Sequence, residues 1–168
     1  MPLVLGQHVD HSYYGLDHRF EVLPAPTLPV LQRLLEFRRG CEAKGGMRMG
    51  RDVPSRAIAA VLSQTMILEP LAGWDDAIIR YAGFGTAKFF GRDVTGLRHS
   101  EIQKGDRSGT LGELFAEARG IVAENRCRVL DHRALNGGIT IGHQEVVTFP
   151  ILAPDGGSRW LFNAAFDL

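Results

Sequence analysis

The chain has 168 residues, 45% of them hydrophobic and 23% charged, and its formal net charge is zero. This is the composition of a folded globule large enough to bury a core, which excludes a disordered or collagen-like chain. With no net charge there is no global field to draw nucleic acid or an anionic membrane, so Arg38-Arg39, and Arg48 with Arg51, read as solvated helix ends and loops.

Residues 1–26 carry turn formers, His8, His11, His18 and Pro24-Ala25-Pro26, with little periodicity, and are expected to form an extended or flexible arm. His8, Asp10, His11, Asp17 and His18 are metal-compatible types, but their spacing matches no known site, so no metal is expected. Residues 27–64 read as an N-terminal helical extension. Leu28, Leu31, Leu34, Leu35 and Phe37 recur at near-helical spacing, Pro29 suits a first turn and Thr27 can cap it, which predicts a helix over 28–44 ended by Gly45-Gly46. The stripe must cover either the chain's own sheet or the same helix of a second copy. Leu31, Leu34 and Leu35 are therefore candidates for a homodimer seam. Pro54-Ser55-Arg56 opens a second helix whose buried face is Ile58, Val61 and Leu62.

From residue 65 the pattern is mixed. Met66 to Pro70 fits a strand, Asp75-Asp76 a turn, and Ala77 to Ala82 a second strand. Ser108 to Glu124 predicts the longest helix, with Thr110 and Glu113 at capping-box spacing and Leu111, Leu114, Phe115, Ala118, Ile121 and Val122 on one face. Arg126 to Leu135, Ile139 to Leu152 and Ser158 to Asp167 are β-type runs separated by Asn136-Gly137-Gly138 and Pro154-Asp155-Gly156-Gly157, which predicts an antiparallel meander. The fold class is α+β: a five-stranded antiparallel sheet over 65–168 with helices on one face.

The most informative stretch is Ile78 to Gly96, where a strand ends at Gly83, an aromatic helical piece follows, and Gly91-Arg92-Asp93-Val94-Thr95-Gly96 closes it. Three fragments stand in order: Leu34-Leu35-Glu36-Phe37-Arg38-Arg39-Gly40, then Pro54-Ser55-Arg56, then Arg80 and Gly83 with Phe90-Gly91-Arg92-Asp93-Val94-Thr95-Gly96. Together with the element order, they resemble the bacterial single-domain PAS subfamily over about residues 30–168. The chain departs from that pattern at Phe84, where the subfamily usually has Thr, and at Phe37, where a Trp is common. The resemblance implies a sensory or signalling module without an output domain of its own, acting through a small ligand, a partner protein, or both.

Phe84, Phe89, Phe90, Phe115, Trp160 and Phe162, with Tyr81, are the candidates for lining a cavity between helices and sheet. Arg80 and Asp93 are placed to exchange a charge-assisted hydrogen bond, and Arg56 to make a similar one. Gly83-Phe84-Gly85 with Lys88 lacks the full spacing of a phosphate loop. Cys127 follows the long helix, where a flavin adduct is not expected, and no histidine on that helix offers heme a ligand. His132 and His143 lie on adjacent predicted strands and could approach each other. An enzyme of the cone-like α+β type using His132 or His143 as general base is the alternative.

Cys41 and Cys127, the only cysteines, suggest reduced thiols. The N-terminal Met-Pro-Leu-Val-Leu-Gly runs at once into polar residues, and no stretch approaches the ~20 apolar residues of a membrane span. A cytoplasmic protein without membrane insertion is expected.

Overall fold

The computed structural model describes residues 16–106 and 109–168. Its centre is a six-stranded, fully antiparallel sheet. In chain order the strands are β1 (Asp17–Leu23), β2 (Thr65–Leu71), β3 (Asp76–Ala82), β4 (Arg128–Asn136), β5 (Ile139–Leu152) and β6 (Arg159–Asp167), and in space they run β1-β4-β5-β6-β2-β3. The α+β class stands, but there are six strands instead of five. The sixth is β1, inside the segment expected to be an arm. It pairs with β4 from Asp17↔Leu135 to Leu23↔Val129.

The helices are α1 (Pro29–Gly40), α2 (Ala59–Leu62), α3 (Phe84–Phe90), α4 (His99–Gln103) and α5 (Thr110–Ala123). They do not share one face. Because successive strand residues point to opposite sides, Ile67, Val147, Phe149, Ile151 and Phe162 bury with Leu31, Leu34, Ile58 and Val61 of α1, α2 and the turn before α2. Leu68, Ala77, Ile79 and Leu161 bury on the other side with Phe90, Ile102, Ala118 and Ile121. A sheet clothed on both faces needs two helical layers, and residues 27–64 supply one of them. The helical extension and the sheet thus share a core across residue 64.

α1 starts at Pro29, as its residues predict, but Thr27 does not cap it. The fully buried Glu145 of β5 does: Oε1 accepts the Thr27 and Leu28 N–H groups at 2.8 and 3.1 Å, and Oε2 accepts the Thr27 hydroxyl at 2.6 Å. A carboxylate at the positive end of the helix satisfies donors that would otherwise be orphaned. α5 likewise lacks the expected Thr110–Glu113 box; Gly109 precedes it and Asp106 accepts the Leu111 N–H at 2.8 Å. Ser108, where that helix was expected to begin, lies outside the described residues. No helix among the described residues is long and apolar enough to cross a membrane.

Candidate functional site

A cavity of about 120 Å³ lies between the sheet and helices α3 and α5. Phe89 and Phe90 of α3 form one wall, Leu111 and Leu114 of α5 a second, Met66 and Val146 the sheet floor, and His18 and Phe20 of β1 close the side. α3 takes this position because Gly83 lets the chain pass directly over the end of α2. A Cβ on Gly83 would press into the carbonyl oxygens of Leu62 and Ser63. The Gly83 N–H then bonds Thr65 O at 2.8 Å, and Gly91, at φ +72°, ends the helix.

Polar groups on the wall are organised around His132, which is 4% exposed. Gln144 donates Nε2–H to Asp167 Oδ1 at 3.0 Å, which turns its Oε1 toward His132 Nδ1 at 3.3 Å. Nδ1 therefore carries the His132 proton, and Nε2 accepts from His18 Nδ1 at 2.8 Å. Phe20 stacks on the His132 ring at 4.5 Å and 7°, and Phe89 lies 5.9 Å from it. Burial, reinforced by His18, pushes the His132 pKa down to about 4, so the ring is neutral near pH 7.

Of the seven aromatic candidates, the cavity gathers only Phe89 and Phe90. Phe84 is 74% exposed, with Lys88 over its ring. Phe115 stacks on His99 at 4.2 Å, and burial lowers the pKa of that histidine. Trp160 and Phe162 belong to the opposite face, Phe162 stacked on Phe149 at 4.9 Å. Tyr81 also turns to that face and donates its hydroxyl to Leu62 O at 2.9 Å. Strand alternation turns Tyr81, Trp160 and Phe162 to the far face, while Phe84 and Phe115 are set apart by their positions on α3 and α5.

The charged motif positions do not converge. Arg80 sits where the β2–β3 register shifts, and it pairs with Glu69 instead of Asp93. Asp93 is exposed and accepts the Thr95 N–H at 2.9 Å, a loop-fixing bond that lowers its pKa. Gly96 at φ +85° passes its N–H to Ile79 O at 2.7 Å. Arg92, Pro54 and Arg56 are exposed, and Ser55 precedes the short turn at Arg56–Ile58. None of these lines the cavity. Leu31 and Leu34 are buried under α1 at 0% and 2% exposure and Leu35 packs partly against the same core, so the stripe covers the chain's own sheet.

His132 and His143 do not meet. His132 opposes Gln144 and Arg133 opposes His143, so the two rings lie on opposite faces. Asp131 likewise points away from His132 and accepts from His143 Nε2 at 2.6 Å. Burial opposes ionisation of Asp131, but the His143 hydrogen bond and charge outweigh it and hold its pKa below the usual carboxylate range. That pair lies outside the cavity lining. Of the metal-type residues in the expected arm, Asp17 and His18 lie in β1, while His8, Asp10 and His11 lie outside the described residues. Among the described residues no group of three or more His, Cys, Asp or Glu is placed to hold a metal ion.

The sequence reading does not single out His18, Phe20, Gln144 or Asn163 as cavity residues. The signal for β1 was present: residues 18, 20 and 22 alternate with charged Asp17, Arg19 and Glu21. No family model and no curated protein matches the chain.

Proposed function

We propose that the chain is a PAS-type sensory module that takes a small ligand in the cavity beside His132 and signals through a partner protein in the cytoplasm. The carrying observation is that cavity, walled by Phe89 and Phe90 from the Gly83–Gly96 segment on which the PAS resemblance rests. The element order supports the same reading: after β1, α1 and α2 come two strands, a short-helix excursion, one long helix and a three-strand meander. The lining is mainly apolar with a few convergent polar side chains, the pattern of a ligand site. The enzyme reading is less favoured, because both ring nitrogens of His132 are engaged and the Asp131–His143 pair faces away. A homodimer would have to use a surface other than Leu31 and Leu34.

Native mass spectrometry of the purified protein tests this, with Val146→Phe as a variant that fills the cavity floor. A small molecule retained by the unaltered chain and lost from a folded Val146→Phe supports the reading. Equal retention by both would place the ligand elsewhere and remove the cavity from the function.

A further inference from the structure

We propose that the cavity takes an uncharged ligand of a single ring bearing one hydroxyl-type group, and rejects anions and cations. This rests on the cavity being the ligand site. Size sets the first limit: the volume is about 120 Å³, and an apolar cavity of about 150 Å³ accepts benzene. That is the scale of one six-membered ring, not of two fused rings.

Charge sets the second limit. Among the described residues no Lys, Arg, Asp or Glu lines the cavity. His132 offers no compensating charge, since Nδ1–H faces Gln144 and Nε2 faces His18. An ionic ligand would lose its hydration without gaining a counter-charge. The walls suit a ring instead. Phe89 and Phe90 meet edge to face at 5.0 Å, and Phe20 stands across from them on His132.

The kind of polar contact follows from bonds already made. Asn163 donates Nδ2–H to Thr148 Oγ1 at 2.9 Å, and the Thr86 hydroxyl donates to Thr65 O at 3.2 Å. Each of these bonds uses one hydrogen, so Asn163 keeps its Oδ1 acceptor and a second Nδ2–H, and Thr86 Oγ1 keeps accepting capacity. A ligand hydroxyl, which both donates and accepts, matches that amide.

The full chain is titrated at pH 7 with phenol, anisole, benzoate, benzylammonium and 2-naphthol, following the Met66 methyl and His132 ring signals by NMR. Phenol should give saturable shifts at both, with a Kd roughly three- to tenfold below that of anisole, the worth of one hydrogen bond. Benzoate, benzylammonium and naphthol should bind more weakly than anisole. A charged probe or naphthol matching phenol would overturn the ligand class while leaving the cavity a binding site. If no probe moves either signal at millimolar concentration, the ligand class and the reading of the cavity fall together. Asn163→Leu should bring phenol and anisole within twofold; a folded variant that keeps the preference removes Asn163 as the polar partner. Should that variant not fold, the probe series on the unaltered chain still decides.

Discussion

The two faces of the sheet are built from the same strands and end differently. On the α1 side every inward position of central β5 from Val147 to Ile151 is apolar, Phe149 stacks on Phe162, and Leu31 and Leu34 fill the space above. On the α5 side the alternate positions of the same strands are Gln144, Val146 and Thr148 on β5, His132 on β4 and Asn163 on β6. These polar groups bond each other along the sheet, and a cavity of about 120 Å³ remains between them and the helices. Close packing is a property of apolar surfaces that interdigitate. Where the inward residues must keep hydrogen bonds, the helical layer does not settle onto them, so the α5 side keeps a receptive end beside its own packed cluster of Leu68, Ile79, Ile121 and Leu161.

The sharpest break of that contrast is to carve each face equally. Phe149→Ala should cost ~3–5 kcal/mol, because it opens a void in a packed core. Phe89→Ala should cost only about 1–2 kcal/mol, since the ring already borders empty space and loses mainly contact area. Urea unfolding of both variants measures this, and equal losses would mean that the cavity face is as tightly packed as the other.

Acid should act on the receptive face. The folded pKa of His132 is lowered from 6.5 to about 4, so between those values the unfolded chain binds the proton and the native ring does not. Stability therefore rises with pH in that window, and acidifying through it should cost up to about 3 kcal/mol from this group. Comparing melts of the unaltered chain and His132→Gln between pH 7 and 4 isolates the contribution, and a slope that survives in His132→Gln would assign it to another group.

Gly83 is the crossing point between the faces, where the start of α3 meets the end of α2. Gly83→Ala should cost ~1–3 kcal/mol or more, because the methyl group meets backbone carbonyls that cannot swing aside. Gly96→Val is strained by φ +85° alone, with open space around its Cβ; it should cost about 1–2 kcal/mol. Thermal melts in which Gly96→Val is the worse of the two would show that backbone conformation outweighs close approach here. The smallest effect belongs to Arg80→Ala, an exposed pair with Glu69, at under ~1 kcal/mol in the same melts. A larger loss would give the β2–β3 edge a structural weight that neither face explains.

Local chemistry carried a great deal of this structure into the sequence. β5 spans Ile139–Leu152 as its residues predict, because Gly137 and Gly138, at φ +58° and +84°, permit a tight turn before it and Gly156, at φ +74°, a turn after it. α1 and α5 follow from apolar spacing, with starts at Pro29 and after Gly109, but α1 ends at Gly40 and not at the predicted 44, and Gly45 closes a separate short turn over Glu42–Lys44. The same local signals are silent about partners distant along the chain. Nothing within a few residues of His18 reveals that it bonds His132, 114 positions away, or that Glu145 caps a helix begun 116 residues earlier. Periodicity tells a strand which residues share a side, but not which helix covers that side or whether a neighbouring strand joins. Those choices decided that α1 covers its own sheet, that β1 becomes the sixth strand, and that two of seven aromatic candidates meet at a cavity. They arise from burial and hydrogen-bond satisfaction summed over the whole chain, and only the folded molecule performs that sum.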